Sequence, residues 1–230
     1  MAEQLPLAFE FRANQSFSDF YPGSNQEALT HLQASATGAG EAQIYLWGES
    51  GLGKSHLLQA CCQQANQQGL SAFYFAFAAE NLPDPALLIG LEKLDLVCLD
   101  NIDALAGHSD WELALFNFYN QHRSLAHHLI LAANNPPDQL GIKLPDLKTR
   151  LNWGLTLKLQ PLQDQDKIAV LMFKAGQLGF DISPLVGRFL LTHFDRDLPS
   201  LWALLDKLDK ASLAAQRKLT IPFLKQVLRD

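Results

Sequence analysis

Gly48-Glu49-Ser50-Gly51-Leu52-Gly53-Lys54-Ser55 is a complete G-x-x-x-x-G-K-[ST] sequence, set between the apolar run Ile44-Tyr45-Leu46-Trp47 and the helix-forming run His56-Leu57-Leu58-Gln59-Ala60. Strand, glycine loop and helix in that order form the context in which this spacing wraps a phosphate chain. Glycines open backbone angles that other residues avoid, so successive N–H groups can turn inward on an anion. The first turn of the following helix adds unpaired N–H groups and the positive end of its dipole. Gly48, Ser50, Gly51, Leu52, Gly53 and His56 are therefore read as nucleotide contacts. Lys54 is the cation for the terminal phosphates, and the Ser55 hydroxyl a ligand for Mg²⁺.

Such a loop needs a carboxylate at the tip of a neighbouring strand to hold the metal shell. Leu96-Val97-Cys98-Leu99-Asp100 supplies it, with Asp100 expected just past the strand end. The next residue, where many ATPases carry a second acid, is Asn101, whose amide cannot accept a proton. Asp103 stands two residues further on, with its direction open. Nucleotide binding is thus better supported than rapid hydrolysis. Asn134, after the strand His128–Ala133, is a candidate for polarising water or the terminal phosphate, with a plain turn residue as the alternative.

Around this centre, apolar strands at 44–47, 71–77, 94–99, 128–133 and 155–159 alternate with helical stretches at 26–36, 54–68 and 111–124. Continuous apolar strands separated by helices predict an α/β fold with a parallel sheet covered on both faces. From Asp164 onward the pattern is helical, with stops expected at Gly179, Ser183-Pro184, Pro199 and Pro222. The expected organisation is an N-terminal arm at 1–16, a nucleotide-binding core at 17–160 and a small helical lid at 161–230.

Composition bounds the rest. The chain has 230 residues, 48% hydrophobic and 18% charged, with a net charge of −6, which disfavours gripping duplex DNA along its backbone. Cys61, Cys62 and Cys98 show no C-x-x-C spacing, so buried thiols in a reducing compartment fit better than a metal site or a disulfide framework. No apolar run approaches the roughly 20 residues of a membrane span, and no N-terminal leader pattern is present. A cytoplasmic location without membrane contact is expected.

Phe17-x-x-Phe20-Tyr21-x-Gly23-x-Asn25 resembles the opening box of the initiator clade of AAA+ ATPases. The loop, Asp100, Asn134 and Lys148-Thr149-Arg150-Leu151-Asn152-Trp153-Gly154-Leu155 then follow in the order found in the bacterial replication initiator DnaA. The resemblance covers about residues 16–230. DnaA continues into a helix-turn-helix DNA-binding domain, and the end at Asp230 leaves the expectation that no such domain follows. The arm Gln4-Leu5-Pro6-Leu7-Ala8-Phe9 looks like the peptide that docks on the bacterial DNA polymerase III sliding clamp (the beta subunit). Gln4 would offer amide hydrogen bonds, and Leu5, Leu7 and Phe9 apolar anchors.

Together these features resemble the DnaA-homologous regulators that shut initiation down. The resemblance implies an adenine nucleotide, ADP rather than ATP, contacted also by Tyr21. It implies docking on the DNA-loaded clamp, DNA being reached only through it, and contact with ATP-bound DnaA. Arg150 would be an arginine finger acting in trans on the partner's γ-phosphate. The lid Arg that senses phosphates in this clade aligns with Pro199, and Arg196 is the candidate substitute. Two readings stand beside this one: an autonomous AAA+ ATPase that loads a helicase or remodels DNA, and a small-molecule kinase. Self-association is left open.

Overall fold

The computed structural model describes residues 15–215 and 220–227. The peptide bearing Gln4, Leu5, Leu7 and Phe9 lies outside the described residues. Five strands, β1 (Gln43–Trp47), β2 (Ala72–Ala76), β3 (Leu96–Asp100), β4 (His128–Ala133) and β5 (Leu155–Lys158), form one sheet in the order β2-β3-β4-β1-β5. Every pairing is parallel. Parallel pairs need long crossovers, here helical, so all carboxyl ends share one edge of the sheet.

Each helix follows from its pattern. α1 (Gln26–Ala36) buries Leu29 and Leu32, and α2 (Lys54–Gln67) buries Leu57, Leu58, Cys61 and Cys62 while packing on β2, β3 and β4. On the other face, α3 (Ser109–Ser124) and α4 (Pro145–Leu151) close an apolar cluster of Tyr45, Val97, Leu99, Leu115, Leu131 and Leu147. Every residue of β3 is buried, as are those of β1 and β4 apart from half-buried Trp47 and His128. This is why these strands run apolar without alternation.

The chain divides into two compact units. The first contains the segment ending at Phe20, Glu27–Gly48 and Gly53–Lys158. The second is Leu159 onward with two earlier segments, Tyr21–Gln26 and Glu49–Leu52. It contains α5 (Asp164–Gln177), α6 (Pro184–His193), α7 (Leu198–Ala215) and α8 (Ile221–Val227). Leu171, Leu190, Leu201, Leu205, Leu208 and Leu224 fill its centre. Asn25 explains why Tyr21–Gln26 belongs there. Its buried amide donates to the Gln160 carbonyl at 3.0 Å and accepts from the Gln160 N–H at 2.7 Å.

Two expectations change. Pro199 and Pro222 do not stop helices; they occupy the first turns of α7 and α8, where the missing N–H costs no intrahelical bond. Asp100 is the last residue of β3 rather than the residue after it. No described helix is long and apolar enough to cross a membrane.

Candidate nucleotide-binding site

The loop leaves β1 at the carboxyl edge of the sheet. Gly51 and Gly53 have φ of +82° and +95°, the left-handed region that favours glycine, and Gly53 caps α2. A Cβ on Gly53 would lie 2.8 Å from the Phe20 ring, so the aromatic of the opening box closes against the loop backbone. His56, in the first turn of α2, meets the Phe20 ring at 5.7 Å and hydrogen-bonds the Ser16 carbonyl at 2.8 Å. Of the predicted loop contacts, Gly48 is buried, Ser50 is exposed and Leu52 is half-buried. Ser55 opens α2 beside Lys54.

Lys54 is 6% exposed. Its ammonium donates to the Gly48 carbonyl at 2.6 Å and to Asn134 Oδ1 at 3.0 Å. Burial pulls its pKa below the ordinary lysine value, and the charges of Asp100 and Asp103 act in the opposite direction. Asp100 is fully buried. Its Oδ1 accepts the Asn101 N–H at 2.9 Å, and its Oδ2 accepts the Tyr74 hydroxyl at 3.0 Å. Asn101 adopts φ 56° and turns its amide back to the Phe77 carbonyl at 3.3 Å.

Asp103 belongs to this cluster, a placement the sequence left open. Both of its carboxylate oxygens accept the Asn134 N–H, at 2.9 and 3.0 Å, which ties the tip of β4 to the residues after β3. Lys54, Asp100 and Asn134 are therefore brought together as the motif requires, with Asp103 and Tyr74 added. Tyr74 escapes sequence reasoning because its ring reads as one more apolar residue of β2. Strand alternation is the available signal: Phe73, Phe75 and Phe77 belong to one side, leaving Tyr74 for the other.

A nucleotide fits these residues. A glycine backbone with left-handed angles, a buried cation and a helix start form one continuous segment. Among the described residues no group of three or more His, Cys, Asp or Glu could hold a metal, so a cation here would share its ligands with phosphate oxygens. Ser55 and Asp100 are the residues that would hold it.

Arg150 is not part of this cluster. It lies within α4, and Gln43, at the start of β1, donates its amide to the Arg150 carbonyl at 3.1 Å. The Tyr119 hydroxyl donates to Gln43 Oε1 in turn. The Arg150 guanidinium lies 4.1 Å from the Trp153 ring centroid and that of Arg123 lies 4.2 Å from it. Buried Glu112 fixes the entry to α4 by accepting the N–H groups of Gly107, Lys143 and Leu144 at 2.8 to 3.1 Å. Beside these residues is a cavity of about 480 Å³ lined by Gln43, Tyr119, His122, Arg123, His127 and Trp153.

In the second unit, Arg196 donates to the Leu191 carbonyl at 2.9 Å and to Asp164 at 3.2 Å. Its guanidinium is thus engaged between α5 and α6. The Pro199 ring, which has no donor, lies 3.7 Å from a Cβ built on Gly51. Tyr21 is half-buried, with its ring 3.6 Å from a Cβ built on Gly23.

The parallel order β2-β3-β4-β1-β5, the glycine loop after β1 and the acid at the tip of β3 define a P-loop protein of the AAA+ class. Solved structures agree on the fold. Domain III of the Thermotoga maritima replication initiation protein DnaA matches with a TM-score of 0.77 at 19% identity, over 95% of this chain and 97% of that one. DnaA from Aquifex aeolicus bound to AMPPCP matches at 0.75 and 21% identity, over 87% of this chain and 66% of that one. The Thermotoga maritima RuvB Holliday junction branch migration motor matches at 0.67 and 12% identity, over 90% and 67%. This chain thus spans about two thirds of the length of the longer initiator chain it matches.

Two sequence families narrow the class. Residues 11–82 match the bacterial DnaA ATPase domain, and residues 164–228 match the lid domain of Hda. The chain is thus similar at its two ends to AAA+ proteins of the Hda/DnaA type, and it has an α/β core with a parallel sheet followed by a helical region that matches the Hda lid.

Proposed function

We propose that this protein controls replication initiation by holding ADP in its own phosphate loop and triggering ATP hydrolysis on DnaA. The observation that carries the reading is the position of Arg150. Gln43 and Gly48 bracket β1, and Arg150 is tied to the Gln43 end while the loop leaves from the other. Four strand steps of about 3.3 Å separate Gln43 from Trp47. The cation that matches a finger residue therefore faces away from the chain's own nucleotide site, which suits action on a partner's. There it would stabilise charge on the phosphoryl group in transfer and leave DnaA bound to ADP, unable to start again.

The acids near the loop support a poor intrinsic ATPase. Asp100 accepts from Asn101 and Tyr74, Asp103 accepts from Asn134, and Asn101 cannot take a proton. Lys54 would neutralise the diphosphate, the loop N–H groups would orient it, and Asn134 would keep Lys54 at the tip of β4. With a triphosphate in the loop, a bound Mg²⁺ would supply charge neutralisation at the phosphates. DNA is reached through the sliding clamp, which residues 4–9 would engage as an extended peptide with Gln4, Leu5, Leu7 and Phe9 as anchors. Likeness to DnaA, whose structures include one bound to AMPPCP, supports the adenine nucleotide.

The test is ATP turnover by DnaA in the presence of clamp-loaded DNA. Arg150→Ala is expected to lower the stimulated rate by on the order of 10³. Trp153→Ala, which leaves the charge but removes its aromatic seat, should cost about tenfold. Wild-type stimulation by Arg150→Ala would remove the finger. Rapid turnover by the purified chain alone would favour the autonomous ATPase instead.

A further inference from the structure

The function proposed above uses Tyr74 only as one partner of Asp100. In β2 it pairs with Cys98, two residues before Asp100, whose own partner is Ala76. Its neighbours Phe73, Phe75 and Phe77 pack in the aromatic cluster with Trp111, so Tyr74 belongs to the α2 side of the sheet. Its hydroxyl donates to Asp100 Oδ2 at 3.0 Å, while Asp100 Oδ1 accepts the Asn101 N–H at 2.9 Å. Both oxygens of Asp100, one of the residues that would hold a divalent cation, are thus already engaged, one of them by a phenol.

We infer that Tyr74 is a specificity-determining residue that lets the loop hold a nucleoside diphosphate without a divalent cation. The inference rests on the reading that this loop binds a nucleotide. A phenol O–H donated to Asp100 does what a metal-bound water would do there, satisfying the buried carboxylate with a charge-assisted bond. A cation that entered would have to take Asp100 from Tyr74, and the bond so lost leaves a half-buried donor to be satisfied again. A diphosphate, with Lys54 and the loop N–H groups against it, tolerates this. A triphosphate carries more charge and relies on a cation to offset it, so the arrangement favours the diphosphate.

The experiment measures ADP and ATP affinity by calorimetry on the nucleotide-stripped full chain, in excess Mg²⁺ and in EDTA, for wild type and Tyr74→Phe. Wild-type ADP affinity should change by less than about threefold between the two conditions, whereas Tyr74→Phe should bind at least about tenfold tighter with Mg²⁺ and lose preference for ADP over ATP. A wild type that weakens tenfold in EDTA, or a Tyr74→Phe protein indistinguishable from it, overturns the inference while the nucleotide site stands. No binding of either nucleotide by the folded wild type overturns the site itself. Mn²⁺ paramagnetic resonance on the wild-type ADP complex is a second measurement that needs no variant. Only free Mn²⁺ is expected, and one tightly bound ion per chain would refute the role of Tyr74.

Discussion

The two ends of the sheet in the first unit treat charge in opposite ways. At the carboxyl end, buried Lys54 is held by the Gly48 carbonyl and Asn134, buried Asp100 by Tyr74 and the Asn101 N–H, and half-buried Asp103 by the Asn134 N–H. At the amino end, Arg123 and Arg150 lie on Trp153, which is 37% exposed, and Tyr119 donates to the Gln43 side chain, whose amide holds the Arg150 carbonyl rather than its charge. Burial fixes a cation where a ligand must meet it, while an exposed aromatic seat presents a cation outward without neutralising it. In the proposed function, one edge would keep a ligand and the other would offer charge to a neighbour.

The largest way to break this contrast is at Gly154. Its φ is +80°, and an added Cβ would fall 2.5 Å from the Gln43 carbonyl oxygen, backbone that cannot give way. Gly154→Ala should lower stability by about 3–5 kcal/mol in denaturant melts, from left-handed strain and overpacking together. A loss under about 1 kcal/mol would mean that the amino edge does not depend on this close approach. At the other edge, Lys54→Ala should weaken nucleotide binding by about 100-fold, some 2.7 kcal/mol, with little change in the melt of the ligand-free chain. If stability fell as steeply as binding, the cluster would be a structural core rather than a ligand cradle.

The smallest expected effect sharpens the amino edge. His122 is 1% exposed beside the cavity, and its pKa is lowered to about 4, first by burial and then by the charge of His127. The ring is neutral in the folded chain, while the unfolded chain binds its proton near the ordinary value of about 6.5. Stability is therefore full above pH 6.5 and falls as the pH drops toward 4, by on the order of 2 kcal/mol. Melts across that range should show the slope in wild type and a flatter one in His122→Gln. Equal slopes would place the pH response elsewhere.

Much of the carboxyl edge is legible in the sequence. A glycine loop carries its own backbone demands, and the acid at the end of an apolar strand is marked by the contrast with Leu96-Val97-Cys98-Leu99. Asp103 and Tyr74 are not legible as site residues. Asp103 reads as a turn residue until β4 is set beside β3, and Tyr74 reads as core until the strand's two faces are separated. Glu112 has no sequence signal either, since its partners Lys143 and Leu144 lie a strand and a loop away. Pro199 and Pro222 mislead because proline marks the start of a helix as readily as its end.

By itself the sequence determined the chemistry on offer: a phosphate loop, its Lys54 and Ser55, the acid Asp100, and Arg150 beside Trp153-Gly154. Those follow from residue types at fixed local spacing, which the chain carries whatever it packs against. Tertiary structure alone decided which groups face each other. Parallel strands collect residues 54, 74, 100, 103 and 134 at one end of the sheet and residues 43, 119, 123, 150 and 153 at the other, because every crossover returns the chain to the same starting edge. Local spacing is blind to that return, and it is what sets Arg150 apart from the phosphate loop of its own chain.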